Sequence, residues 1–258
     1  MKKGKTSTEY KTFYKELVDY AAMSMITVKK LNKRFGRKSV INELDLEVEE
    51  GEFLVMFGPN GAGKTTLIKI LSTLSRPLSG SVEINGYNIS EESLEVRNNI
   101  GVLSHNPFLY DDLTLKENLT FYSRMFQLKK DEDKIKFLAH EVGLFHRLND
   151  RVGQFSRGMK QRAAVARAIL HDPPVLLLDE PFTGLDYKAW GILMDILKKF
   201  HGKGKTILLI THNVELGHKI GERLTVLVNG KIALDRKKTD IGLEDFKEEY
   251  HNLMGNQK

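Results

Sequence analysis

The chain has no cysteine, a single tryptophan and only six prolines in its 258 residues. Without cysteine it can build neither a disulfide framework nor a thiolate metal site. Long apolar runs are also missing, since stretches such as FLVMF at 53–57 fall far short of the ~20 residues that a membrane-spanning helix needs. If the protein acts at a membrane, we therefore expect a partner to cross the bilayer.

The composition is that of a folded protein with a slight excess of basic residues. Hydrophobic residues make up 41% and charged residues 29%, and 40 Lys and Arg against 34 Asp and Glu give a net charge of +6. A chain of this length can hold one large domain, or a core with an inserted subdomain. The basic balance fits an anionic ligand, a nucleic acid or an acidic membrane surface, and it selects none of them.

Residues 1–24 are expected to form an amphipathic N-terminal extension. The start is basic, but no apolar stretch follows at once, so it is not a signal peptide. The apolar side chains share one stripe of a helix: Tyr10, Phe13, Tyr14, Leu17, Val18, Ala21 and Ala22. Three interpretations stay open: the helix packs on the body or a partner, it lies on a bilayer surface, or translation starts at Met23 or Met25.

The rest of the chain alternates between strand and helix patterns. Continuous apolar runs at 53–57, 175–178 and 206–210 are typical of strands buried on both faces. Helical spacing fills 114–126 and 131–142, between the first and second of these runs. This order predicts an α/β core over 25–105 and 155–235, an inserted helical subdomain over 106–154, and a C-terminal tail over 236–258.

The stretch GPNGAGKTT at 58–66 matches the phosphate-binding loop pattern, with a strand before it and a helix after it. Its glycines allow backbone N–H groups to point at phosphate oxygens, and the helix adds its positive end. We expect Lys64 to reach the β- and γ-phosphates, Thr65 to bind Mg²⁺ and Thr66 to contact the α-phosphate. The nucleotide-binding residues of this loop are Gly58, Pro59, Asn60, Gly61, Ala62, Gly63, Lys64, Thr65 and Thr66. The fold class that follows is a P-loop NTPase.

The stretch VLLLDE at 175–180 supplies the acidic half of such a site. Its buried strand delivers Asp179 to a hard cation, which prefers oxygen ligands, so Thr65 and Asp179 are the expected Mg²⁺ ligands. Glu180 follows by one residue and is placed to act as the general base for an attacking water. ATP and Mg²⁺ are the expected cofactors.

From about Met25 to Asp235 the chain resembles the nucleotide-binding subunits of ABC transporters. FSRGMKQR at 155–162 is similar to the signature that this family usually writes LSGGQ, DEPFTGLD at 179–186 to its catalytic loop, and THN at 211–213 to its switch histidine. The resemblance implies N-terminal antiparallel strands. It also implies roles for five residues: adenine stacking by Phe35, γ-phosphate contact by His212, binding of the opposite subunit's γ-phosphate by Ser156 and Gly158, and a dimer contact by Asp186.

Three residues depart from the family pattern. Arg157 replaces a glycine of the signature, and Met159 replaces its glutamine. His105 stands where the family has the glutamine that senses Mg²⁺ and the attacking water, so we assign it to the catalytic group. Imidazole is a poor ligand for Mg²⁺, but it can hold a water or report the position of a partner. Its ordinary pKa near 6.5 makes an acid-side dependence of turnover on His105 a testable hypothesis.

The resemblance implies a cassette that dimerises on ATP, as a homodimer or paired cassette, and drives an integral membrane subunit. It places the protein peripherally on the cytoplasmic side of the cell membrane, and no nucleic acid is expected. LSHNPFLYDDLT at 103–114 together with the signature resembles haem-exporter ATPases of bacterial cytochrome c maturation. Export of drugs, polysaccharides or lipids stays open, as does a soluble single-cassette ATPase such as one for iron–sulfur assembly. The chain ends soon after His212, which favours an exporter.

Overall fold

The computed structural model describes residues 24–104, 106–129 and 131–255. The predicted N-terminal extension therefore lies outside the described residues, apart from Ser24. His105 lies outside them as well.

A six-stranded sheet forms the centre of the molecule. Its strands run in the order β10-β9-β3-β8-β7-β6, and all are parallel except β10, which pairs antiparallel with β9. Their bounds are β3 (Phe53–Phe57), β6 (Ile100–Leu103), β7 (Val175–Asp179), β8 (Thr206–Ile210), β9 (Arg223–Val228) and β10 (Lys231–Lys237). In β3, β7 and β8 every residue is buried, as the continuous apolar runs predict.

A second, antiparallel sheet precedes and flanks it, with the order β2-β1-β4-β5. Its strands are β1 (Ser24–Phe35), β2 (Lys38–Glu49), β4 (Ser79–Ile84) and β5 (Tyr87–Asn88). The two Asn-Gly pairs in the sequence, at 85–86 and 229–230, both form hairpin turns with their asparagines at positive φ. The predicted N-terminal antiparallel strands are present.

Eight α-helices are described: α1 (Lys64–Leu71), α2 (Ser93–Asn99), α3 (Leu115–Met125), α4 (Asp131–Glu141), α5 (Arg157–Ile169), α6 (Tyr187–His201), α7 (Val214–Ile220) and α8 (Leu243–Gly255). Polar N-caps fix the starts of several. Thr114 and Glu117 form a reciprocal capping box on α3, and the side chain of Asp186 accepts from the Ala189 N–H on α6. Helices α3 and α4 occupy the segment predicted as a helical insertion.

The core has two parts, one on each face of the central sheet. Phe53, Val55 and Phe57 face the helical side, while Leu54 and Met56 face the antiparallel sheet and α1. This alternation follows from the two-residue repeat of a strand. Because both faces are covered, the functional groups of the central strands are exposed only at the strand ends.

The C-terminal segment is more than the tail that the sequence predicts for 236–258. Helix α8 packs on the core through Phe246, which is fully buried and lies 5.2 Å from Phe57 between ring centroids. Tyr250 and Leu253 follow on the same side at helical spacing. Since α8 also contacts α7, the segment supports the region just after His212.

Candidate functional site

The carboxyl ends of the parallel strands meet at one edge of the central sheet. There β3 leads into the 58–66 loop, β7 ends at Asp179, and β8 ends two residues before His212. Strands β7 and β8 are neighbours, with Asp179 paired to Ile210. In open α/β sheets, ligands bind in the crevice outside these ends. The topology thus brings together three motifs that are far apart in the sequence.

The 58–66 loop depends on glycine at its two ends. Gly58 has φ +145°, and a Cβ there would come within 2.1 Å of the Leu227 carbonyl oxygen. Gly63 has φ +110°, and a Cβ there would come within 2.7 Å of the Val40 carbonyl oxygen. Both positions exclude other residues by clash and by backbone conformation. Helix α1 starts at once after Gly63, so its N-terminal amides open into the crevice.

Lys64 folds back onto this loop. Its Nζ donates to the carbonyl oxygens of Gly58 at 2.6 Å and Pro59 at 2.8 Å, and the residue is 6% exposed. Burial lowers the pKa of the ammonium, and the nearby carboxylates of Glu180 and Asp179 oppose that shift. The cation therefore sits next to two acids at the mouth of the phosphate loop.

Asp179 offers a carboxylate oxygen that no described group satisfies. The residue is 2% exposed, and its Oδ2 has no hydrogen-bond partner among the described residues. A buried unpaired acceptor is costly, and a hard cation is the natural partner for it. Thr65 and Asp179 line one cavity at the start of α1. The residues present therefore fit Mg²⁺ at this place.

Glu180 is held in a left-handed backbone conformation, with φ +52°. Its N–H donates to the Ile210 carbonyl at 3.0 Å, which ties it to β8. Its carboxylate lies 3.2 Å from Nε2 of His212, and Thr183 Oγ1 donates to it at 3.4 Å. Burial lowers the pKa of His212, Lys64 lowers it further, and Asp179 opposes both. His212 is therefore neutral at pH 7.

These groups line one cavity of about 370 Å³. It collects most of the residues predicted for nucleotide and metal binding: Phe35, Asn60, Gly61, Gly63, Lys64, Thr65, Thr66, Asp179, Glu180 and His212. Phe35 stands at its rim, 55% exposed, with Lys33 Nζ 5.1 Å from the ring centroid. Ala62 completes the loop and accepts from the Gly230 N–H.

Two residues that line the cavity, Lys38 and Val40, were not predicted from the sequence. Both lie on β2, just past the turn that follows Phe35, and Phe35 pairs directly with Lys38. A hairpin prediction across Gly36 would have placed Lys38 beside Phe35. Gly36 indicates the turn in the sequence, but the pairing of the two strands was not predicted.

Three predicted site residues lie apart from this cavity. Ser156 caps α5, with its Oγ accepting from the Met159 N–H at 3.3 Å, and Asp186 caps α6. A Cβ on Gly158 would lie 3.8 Å from Asp186 Oδ2, so the starts of the two helices touch. None of the three lines the nucleotide cavity. His105 is beyond what the structure describes, and its assigned role stays a prediction.

Within the described ranges, no helix combines the length and the apolar character needed to span a membrane.

The sequence and fold match known transport ATPases. Residues 41–183 match the family described as ABC transporter. The chain is 35% identical over 215 residues to the ABC transporter ATP-binding protein NatA of Bacillus subtilis, covering 81% of this chain and 87% of that protein. It is 36% identical over 223 residues to the Nod factor export ATP-binding protein I of Cupriavidus pinatubonensis, covering 86% and 69%.

A solved structure shares the fold. A dimeric ATP-binding cassette in a post-hydrolysis state, bound to ADP and phosphate, superimposes with a TM-score of 0.76 at 28% identity, over 83% of this chain and 99% of that one. The predicted P-loop α/β fold class is confirmed. The chain belongs to the ABC transporter family: it is an ATP-binding cassette that hydrolyses ATP with Mg²⁺.

Proposed function

We propose that this cassette powers an exporter by hydrolysing ATP at two sites shared between the subunits of a dimer. The observation that carries the proposal is the single cavity in which Lys64, Asp179, Glu180 and His212 converge. The two residues predicted to bind the opposite subunit's γ-phosphate, Ser156 and Gly158, do not line this cavity. A second copy supplies them.

The residues of the cavity then bind different parts of the nucleotide. Lys64 Nζ exchanges the carbonyl oxygens of Gly58 and Pro59 for β- and γ-phosphate oxygens, and the ring of Phe35 stacks on adenine. Asp179 and Thr65 hold Mg²⁺, which neutralises charge on the phosphates when it is bound. The Ser156 end of α5 in the partner subunit contributes its amides to the γ-phosphate.

Glu180 and His212 act on the water and the γ-phosphate. The Glu180 carboxylate takes a proton from the attacking water as the water oxygen bonds to phosphorus. Nε2 of His212 lies 3.2 Å from the Glu180 carboxylate, so that it is placed to donate to a γ-phosphate oxygen once ATP is bound. The bond from the γ-phosphorus to the bridging oxygen breaks, and ADP and phosphate leave.

The membrane subunit docks on an apolar surface beside the helical insertion. Leu74, Leu94 and Met125 are about three-fifths exposed, at 58%, 60% and 61%, and line a cavity of about 240 Å³ between that insertion and the core. Exposed apolar side chains gathered in one place are typical of an interaction surface. Bound there, the cassette is peripheral on the cytoplasmic face of the membrane.

This docking has a matched test. Met125→Glu and Phe137→Glu change residues that are both 61% exposed, and only Met125 lines the apolar cavity. We expect Met125→Glu to abolish co-purification with the membrane subunit from detergent extracts, while the ATPase activity of the isolated cassette persists. Phe137→Glu retains co-purification. Equal behaviour of the two variants would contradict this docking surface.

Export, and haem as its substrate, are the finer parts of the proposal. The Nod factor relative is named for export, and the sequence resemblance favours haem. The test is ATP-driven uptake into inside-out membrane vesicles that contain the cassette and its membrane subunit, with Glu180→Gln as the inactive control. Haem uptake supports both parts. Uptake of other apolar compounds without haem overturns the haem assignment alone, and uptake confined to right-side-out vesicles overturns export.

A further inference from the structure

Arg157 stands at an unusual place for a cation. It is the first residue of α5, next to the positive end of the helix, and no acidic residue lies in the first turn. A positive charge there is disfavoured by the helix dipole. Arg157 also replaces a signature glycine of the ABC family. Its side chain is exposed, and one neighbouring loop lies in contact with it.

The guanidinium of Arg157 lies against Gly184 of the same chain. A Cβ on Gly184 would lie 2.8 Å from Cζ of Arg157, 3.0 Å from Nη1 and 3.1 Å from Nε. The guanidinium thus lies where a side chain at 184 would project. Gly184 has φ +74°, a conformation that other residues rarely adopt. A side chain at 184 would have to displace the guanidinium of Arg157, so the observed contact depends on glycine at this position.

Gly184 belongs to the short loop that joins Glu180 to Asp186. The loop folds back on Glu180, because the Thr183 N–H donates to the Glu180 carbonyl at 3.2 Å and Thr183 Oγ1 donates to the Glu180 carboxylate. A second tie comes from α5, where Gln161 Nε2 donates to the Pro181 carbonyl at 3.1 Å. Helix α5 therefore contacts the loop through two residues, Arg157 and Gln161.

The same residues surround one cavity of about 390 Å³. Arg157, Gln161, Thr183 and Glu180 all line it. In the proposed dimer, the N-terminus of α5 binds the nucleotide of the other subunit, whereas Glu180 acts on the nucleotide bound by its own chain. The loop is the link between these two functions.

We propose that Arg157 is a positioning residue that acts within its own chain, holding the loop at 181–185 and with it the carboxylate of Glu180. This inference rests on the proposed shared-site function. Because the contact is intrachain, the loss of Arg157 affects the site that contains Glu180 of the same chain. The site that receives α5 from that chain keeps its activity.

Mixed dimers separate these two sites. A reporter chain with Glu180 intact is mixed with a large excess of a Glu180→Gln partner, so that nearly every working site combines the reporter's Glu180 with the partner's α5. Arg157→Gly is then placed either in the reporter or in the partner. We expect kcat to fall roughly tenfold in the first case, since small misplacements of a reacting group cost on the order of 10–100-fold. The KM for ATP stays unchanged, and the partner substitution has little effect.

Three results would overturn the inference. A fall in kcat on substitution in the partner would make Arg157 a phosphate ligand across the interface. The other two are an unchanged kcat in both placements and a rise in KM as large as the fall in kcat. The failure of the shared-site function would be visible before Arg157 is changed, because a Glu180→Gln variant that stays monomeric in ATP and Mg²⁺ would show it. Lys160→Gln in the reporter is the charge-matched control, because Lys160 lines the same cavity but pairs with Asp111 at 2.7 Å.

A second variant tests the contact itself. Gly184→Ala adds a methyl group where the guanidinium lies, so part of its cost is the clash with Arg157. In an Arg157→Gly background that part disappears, and the two substitutions are non-additive in log kcat. Additive effects would show that Arg157 and Gly184 do not act together.

Discussion

Nε2 of His212 lies 3.2 Å from the carboxylate of Glu180, across the ends of two neighbouring strands. The register of β7 and β8 sets this distance, because Asp179 pairs with Ile210 and both functional residues follow within two positions. The Glu180 N–H also donates to the Ile210 carbonyl. The base and the switch histidine are therefore fixed relative to each other by backbone pairing before any nucleotide arrives.

The ring of Phe35 should contribute directly to nucleotide affinity. Replacing it with alanine removes an exposed ring, so the folded state loses little, but ATP loses its stacking partner. We expect the Kd for ATP to rise roughly 5- to 150-fold, corresponding to about 1–3 kcal/mol of stacking. Fluorescent nucleotide titration measures it, with Phe35→Trp as the variant that keeps a stacking face. An unchanged Kd for Phe35→Ala would remove Phe35 from the site.

The buried carboxylate of Asp179 should cost stability until Mg²⁺ arrives. Asp179→Asn removes a charge whose Oδ2 has no hydrogen-bond partner among the described residues. We expect the free energy of unfolding of the nucleotide-free protein to rise by about 1–3 kcal/mol, while ATPase activity and the extra stabilisation by Mg²⁺ with ATP are lost. Thermal unfolding with and without Mg²⁺ and ATP measures both. A variant that Mg²⁺ and ATP still stabilise would argue against Asp179 as a metal ligand.

His171 should make the fold sensitive to mild acid. The pKa of His171 is lowered to about 4, mainly by burial and also by the charges of Arg167, Lys134 and Lys205, while the bond between its Nε2 and the Ile100 carbonyl opposes the shift. A histidine with a folded-state pKa below its unfolded value near 6.5 contributes stability above pH 6.5. That contribution is lost progressively down to about pH 4, for a total of about 3 kcal/mol.

The comparison that isolates this contribution is His171→Phe, which keeps the stacked contact with Phe126 at 3.8 Å. The free energy of unfolding of both forms is measured with urea between pH 7.5 and pH 4.5. It should fall less steeply with decreasing pH for the variant than for the original protein. Parallel curves would mean that His171 does not carry the acid sensitivity.

The C-terminal helix should support the switch region. Phe246 is fully buried between Phe57 and His218, and Lys247 pairs with Glu215 on α7 at 3.0 Å. We expect Phe246→Ala to lower the free energy of unfolding by roughly 3–5 kcal/mol. It should also lower kcat at temperatures where the protein is still folded, because α7 begins directly after His212. The exposed Phe137→Ala serves as the control, and equal losses for the two variants would contradict this packing.

The sequence predicts the chemistry at the strand ends better than it predicts the surroundings of the site. The runs at 53–57, 175–178 and 206–210 are apolar strand patterns followed by functional residues, so pattern and motif agree. Helix α8 escapes because its apolar residues Phe246, Tyr250 and Leu253 are few and stand among charged ones. Lys38 and Val40 were not predicted because their place in the cavity comes from hairpin pairing: Gly36 marks the turn, but the pairing of Phe35 with Lys38 forms only in the folded sheet.

The contact between Arg157 and Gly184 could not be predicted from the sequence either. A departure from a family motif identifies the position, but the direction of the side chain depends on the left-handed turn at Gly184 and on how α5 packs against that loop. Such contacts follow from tertiary packing, which no spacing of residues encodes.

The central claim is that two copies of the chain close on ATP at shared sites. Glu180→Gln removes the base and keeps the shape of the side chain, so ATP and Mg²⁺ should bind without being hydrolysed. Size-exclusion chromatography with light scattering, run in ATP and Mg²⁺, measures the mass of the particle. The account predicts a stable particle of twice the chain mass for this variant, which returns to monomer when ATP is removed. A monomer that binds ATP tightly under the same conditions would contradict it.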